Sequence, residues 1–179
     1  MKKLFLIFGV LLFSFPSIYA QDFSELDKSP MDVAFIRGEN NMPMIRIIYS
    51  RPQKNGRKIF GGLVPYSEVW RTGANEATEI TLYADMTING ERVPAGTYTL
   101  YTIPAKDEWT IIINNAVNVW GAFGYDEEKD VLRVKVPAEQ TSAPVEAFSM
   151  TFQPVENGAK LLMGWDDTYV EVPFLKEND

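Results

Sequence analysis

The chain has 179 residues with neither cysteine nor histidine, and 24 acidic against 17 basic side chains give it a net charge of −7. Those absences exclude disulfides, a histidine acid–base couple and an imidazole-held metal site. The acidity makes nucleic acid a poor partner, because phosphate binding rests on an excess of lysine and arginine.

Residues 1–20 read as an export leader, with Lys2 and Lys3 ahead of an apolar run at 4–13 and a small residue, Ala20, where a signal peptidase would cut. The run is interrupted by Pro16 and is shorter than the roughly 20 residues needed to span a bilayer. Cleavage after Ala20, a periplasmic or secreted location and no membrane insertion after leader removal are therefore expected. The leader carries two of the 17 basic residues and none of the acidic ones, so the net charge moves from −7 to −9. The remainder, residues 21–179, has the length of a single domain able to bury a core without covalent staples.

Past the leader, alternation of apolar and polar residues dominates, rich in β-branched and aromatic side chains. Strands are predicted at 32–36, 44–49, 78–84, 86–88, 97–103, 109–113, 131–136, 147–152, 160–165 and 169–172. Asn89-Gly90 and Asn157-Gly158 read as hairpin turns, and Pro94-Ala95-Gly96 as a break. In the strand at 97–103, Tyr98, Leu100 and Thr102 share one face while Tyr101 and Ile103 take the other, so both faces carry apolar weight. The stretch 109–113 is apolar almost throughout and also reads as buried on both sides. About ten short strands, with at most one short helix at 66–70, predict an all-β antiparallel sandwich of jelly-roll or immunoglobulin-like type. Residues 21–28 and 176–179 read as loose ends.

The run 49–78, YSRPQKNGRKIFGGLVPYSEVWRTGANEAT, has no core-versus-solvent period. Loops of this length in compact domains are usually functional or disordered, and its aromatic content argues against disorder. Together with Pro94-Ala95-Gly96-Thr97-Tyr98 and Trp120-Gly121, this run resembles a family of exported bacterial proteins known mainly from the Bacteroidota and catalogued as domain of unknown function twenty-nine-eleven. The resemblance extends over nearly all of the chain after the leader. It implies an extracytoplasmic β-rich domain and no established activity, so no catalytic residue carries over.

Arg51, Arg57 and Arg71 gather in this run with Asn75 and Glu76. Guanidinium groups grip carboxylates and phosphates with two parallel hydrogen bonds, which suits an anionic or hydroxyl-rich ligand. The alternative is that Arg71 pairs with Glu76 and with loop carbonyls, fastening the long connection to the sheet. Trp109 and Trp165 sit in strand patterns and read as core, whereas Trp70 and Trp120 sit in loops. Trp120, Gly121, Phe123, Gly124 and Tyr125 make a second loop whose aromatic tips could meet a ligand.

The leading expectation is a non-catalytic module binding a glycan or polar small molecule, with no cofactor and no metal. Arg51, Arg57, Arg71, Asn75 and Glu76 would supply polar contacts, and Trp70, Trp120 and Tyr125 stacking surfaces. A second reading is a carboxylate-dependent glycan hydrolase using Glu76 and Asp126, which needs the two carboxyl groups about 5–10 Å apart. A third is a structural or interaction module of the cell envelope. Asp126-Glu127-Glu128 and Asp166-Asp167 read as solvated turns, since neither has the glycine-bearing spacing of a calcium loop. Ser50, Ser67 and Ser149 lack both a nucleophile elbow and a histidine to activate them.

Overall fold

The structure, a computed structural model, describes residues 22–176. The expected leader and its cleavage point lie outside the described residues.

Nine strands form among the described residues: β1 (Met31–Arg37), β2 (Pro43–Ser50), β3 (Glu79–Leu82), β4 (Met86–Ile88), β5 (Glu91–Val93), β6 (Gly96–Pro104), β7 (Glu108–Asn114), β8 (Asp130–Val155) and β9 (Gly158–Lys176). They make one open antiparallel sheet in the order β1-β2-β3-β6-β7-β8-β9-β4-β5. The two long strands connect its parts: β8 pairs with β7 through Asp130–Pro137 and with β9 from Ala138 onward, and the end of β9 pairs with β4.

Two expected pairs of strands are each one strand. The stretches at 131–136 and 147–152 join as β8, and those at 160–165 and 169–172 join as β9. The stretch Thr141-Ser142-Ala143-Pro144 falls where the β8–β9 register shifts between Gln140, Val145 and Ser149. Asp166 sits opposite Val145 at φ 57°, so the expected Asp166-Asp167 turn is an irregularity inside β9. β5 escapes the pattern because only Val93 of its three residues is buried.

The one short helix that the sequence allows at 66–70 does not form. Its backbone groups are taken by β6: Trp70 exchanges both hydrogen bonds with Thr102 (2.7 and 3.0 Å), and the Ser67 N–H donates to the Pro104 carbonyl. The only helical pieces among the described residues are short 3-10 turns at Glu39–Asn41 and Glu127–Lys129. The Asn89-Gly90 turn forms as expected, with φ of 48° and 93° closing the β4–β5 hairpin. A hairpin also joins β8 to β9, with Val155 opposite Gly158.

Two apolar clusters lie on opposite faces of β6 and β7. The main core takes Tyr98 and Leu100 from β6 and Trp109, Ile111 and Ile113 from β7, together with Phe148, Leu161, Trp165 and Phe174. The smaller one takes Tyr101 and Ile112, packed by Ile103, Val119, Ala122 and Tyr125. This is the division of faces that alternation in 97–103 predicts.

The connection from β2 to β3 is non-periodic because distant strands hold it at successive points. Gln53 bridges to Ala147 of β8, Trp70 to Thr102 of β6, and Glu76 to Trp120 of the β7–β8 loop. Each attachment sets its own inward direction, so no single period survives.

Candidate functional site

The site is built on the turn just beyond Trp70. This indole is buried in an aromatic cluster, stacked on Trp165 (centroids 6.0 Å apart, 18° between planes) and edge-on to Phe148 at 5.0 Å and to Phe60 and Trp109 at 6.1 Å. Its Nε1–H donates to the Gly73 carbonyl at 3.0 Å. Aromatic pairs of this kind add about 0.5–1.5 kcal/mol each beyond area burial, which makes Trp70 the anchor of the turn at 71–78.

That turn has an uncommon backbone shape. Thr72 has φ 54° and Asn75 φ 58°. For a β-branched residue such as Thr72 this is an outlier that persists only where the surroundings over-determine it. They do: the buried Thr72 hydroxyl contacts the Trp70 carbonyl (3.3 Å) and the Thr102 hydroxyl (3.1 Å), and the Thr72 carbonyl accepts from the Thr78 hydroxyl (2.7 Å). The Arg71 carbonyl accepts from the Thr78 N–H at 3.1 Å. Close approach leaves little room for a side chain at Gly73, where a Cβ would lie 3.0 Å from the Ser50 carbonyl oxygen.

Arg71 is thus fixed at its backbone, yet its half-buried side chain is left without a partner. Its Nε is buried and meets no acceptor, and no ion pair to Arg71 forms among the described residues. Burial lowers its hold on the proton.

Arg71 lines a cleft of about 430 Å³ together with Arg57, Glu68, Asn75 and the buried Trp70 and Trp165. A second hollow of about 280 Å³ shares Ser29 and Asn75 with it and adds Asp27, Glu76 and Trp120. A third, more apolar hollow of about 260 Å³ shares Met31, Ser50 and Glu76 with the second and ends at Ile48 and Val119. The three hollows, linked through these shared lining residues, are together called the trough. Its charge is uneven: Arg57, Arg71 and Glu68 border the first cleft, and the carboxylates of Asp27 and Glu76 the second hollow. The Asp27 carboxylate accepts from the Ser29 N–H at 2.7 Å and the Asn75 amide at 3.1 Å, and these bonds lower its pKa in that order of effect.

Among the residues singled out in the sequence, Arg57, Trp70, Arg71, Asn75, Glu76 and Trp120 border this trough. Their expected roles change. Trp70 is core and offers no stacking face, whereas Trp120 is 63% exposed. Arg57 spends two donors on the carbonyls of Lys54 (2.9 Å) and Gln53 (2.5 Å). Arg71 and Glu76 do not pair, so the closed brace that their opposite charges allow is absent.

Arg51, Tyr125 and Asp126 lie outside the trough and hold structure. Arg51 donates to Asp32 (2.9 Å), the Ser149 hydroxyl (2.7 Å) and the Phe148 carbonyl (3.2 Å), tying the end of β2 to β8. The Tyr125 hydroxyl meets Asp130 at 2.5 Å and Arg133 at 2.6 Å, its ring stacks edge-on to Tyr101, and burial, then the Asp130 contact, pushes its pKa up to about 12. Asp126 caps the 3-10 turn by accepting from the Glu128 N–H at 3.1 Å and pairs with Lys129 at 3.3 Å. It borders none of the hollows that Glu76 borders. Sequence reasoning missed Asp27, Ser29 and Glu68. The first two fall in or next to a stretch that reads as a loose end, and only the packing of the turn at Asn75 against them reveals their place.

Fold and site together define an all-β protein on an open antiparallel sheet, with its longest connection bordering a trough lined by Arg57, Arg71 and Glu68 in one hollow and by Asp27 and Glu76 in the next. Residues 29–174 match the family described as Protein of unknown function (DUF2911), and the chain belongs to that family. No curated protein and no solved structure matches it.

Proposed function

We propose that the protein is an exported, non-catalytic binding module, periplasmic or secreted, that takes a glycan or polar small molecule in this trough. The observation that carries the reading is Arg71: a side chain carried on a strained, heavily bonded turn, bordering an open cleft and with no acceptor for its buried Nε. A buried donor lacking a partner costs about 1–3 kcal/mol, and the Arg71 side chain that carries it borders the cleft an acceptor would enter. The cleft's volume lies within the roughly 300–1,000 Å³ of small-molecule sites. In this reading β8 and β9 fold the sheet on itself as a sandwich at their register shifts, with the trough at one end. The hydrolase alternative has less support, because Asp126 is engaged in capping and pairing away from Glu76.

A glycan and metabolite binding screen on the purified protein, with Arg71→Ala as control, tests the proposal. Loss of binding at an unchanged melting temperature supports a site; loss of both supports a brace.

A further inference from the structure

Building on the binding reading, we infer that the ligand is an acidic saccharide of one particular kind: a sugar carboxylate seated on Arg71, joined to a neutral sugar that runs toward Trp120.

The arginine end lacks an acceptor. Arg71 has none, Glu68, which borders the same cleft, makes no ion pair with it, and Glu76 borders the neighbouring hollows instead. A carboxylate offers the planar pair of acceptors that a guanidinium fork matches, and in a partly desolvated cleft such a pair is stronger than in water. Arg57 borders the same cleft and adds positive potential.

The other end has the opposite character. Past Ser29 and Asn75 the trough is bordered by the carboxylates of Asp27 and Glu76, with the exposed indole of Trp120 alongside. A second acid group there would meet like charge, whereas hydroxyls can donate to those carboxylates and a sugar ring can lie on the indole. The distribution of charge along the trough therefore selects one acid sugar joined to a neutral one, and disfavours a run of acid sugars.

Isothermal titration calorimetry with four probes tests this: a glucuronosyl-xylose disaccharide, its methyl ester, digalacturonate and inorganic phosphate. The disaccharide should bind about ten- to a hundredfold more tightly than its ester, the range expected for one hydrogen-bonded charged contact. It should also bind more tightly than digalacturonate. Arg71→Gln should abolish the difference between acid and ester, and Glu76→Gln should narrow the gap between the disaccharide and digalacturonate. Equal affinity of wild-type protein for acid and ester overturns the carboxylate anchor while leaving the trough as a site. Preference for digalacturonate overturns the selection by charge, and preference for phosphate overturns the saccharide class. If no saccharide binds, the inference fails, and the broad ligand screen then decides separately whether the trough binds anything. Should Arg71→Gln fail to fold, the acid-to-ester ratio on the wild-type protein decides alone.

Discussion

Arg71 and Glu76 stand five residues apart on one turn, and the backbone sends them to different hollows: Arg71 borders the cleft beside Trp165, Glu76 the two hollows toward Trp120 and Val119. The positive φ at Thr72 and Asn75 and the bridge from Glu76 to Trp120 produce this divergence. A sequence-adjacent pair of opposite charges is thereby kept from neutralising itself.

Because nothing in the fold uses the Arg71 guanidinium, removing it should not weaken the protein. Arg71→Met should leave stability within about 1 kcal/mol of wild type, since the lost packing of the stem is offset by removal of an unsatisfied buried donor. Urea unfolding measures it. A loss beyond about 2 kcal/mol would mean that the residue braces the loop after all.

Arg51 should behave oppositely. Arg51→Ala removes donors to the Phe148 carbonyl and the Ser149 hydroxyl and frees the end of β2 from β8, which should cost about 1–2 kcal/mol. The ion pair to Asp32 adds little to this, because both side chains are more than a third exposed and solvent screens them. Ligand affinity, measured alongside by calorimetry, should remain unchanged.

The two loop tryptophans should separate cleanly. Trp70→Ala empties the centre of the aromatic cluster and should cost about 3–5 kcal/mol, enough to unfold a marginal domain. Trp120→Ala removes a 63% exposed ring and should shift stability by less than about 0.5 kcal/mol while weakening saccharide binding several-fold. Melting temperatures and binding isotherms on both variants check the contrast; equal destabilisation would refute it.

Tyr125 makes stability depend on alkaline pH. Its pKa is raised from 10.0 to about 12 in the folded protein, so between those values the native state holds a proton that the unfolded chain has released. The stabilisation is complete below pH 10 and is lost as pH rises through about 12. Tyr125→Phe should therefore flatten the fall in urea midpoint over that range relative to wild type. An unchanged slope would show that Tyr125 does not hold its proton more tightly in the folded protein than in the unfolded chain.

Much of the fold is legible in the residues alone. Alternation places Tyr98 with Leu100 and Tyr101 with Ile103 on opposite faces, Asn89-Gly90 marks a hairpin, and the apolar run at 109–113 marks a strand covered on both sides, because each of these depends on neighbours within a few positions. Contacts between distant segments are not written that way. The single strands β8 and β9 exist because they pair on both sides of Thr141-Ser142-Ala143-Pro144, and no helix forms at 66–70 because β6 takes its hydrogen bonds.

The site divides along the same line. Composition alone excludes histidine chemistry and disulfides, and the irregular run 49–78 identifies itself by having no period. Which of its residues face a cleft was decided only in three dimensions, where Trp70 sinks into the core, Arg51 ties two strands and Arg71 is left unpaired beside open space. The reason is that a loop side chain takes its direction from whichever strand captures the backbone next to it, here Thr102 beside Trp70 and Trp120 beside Glu76, and those partners lie tens of residues away along the chain.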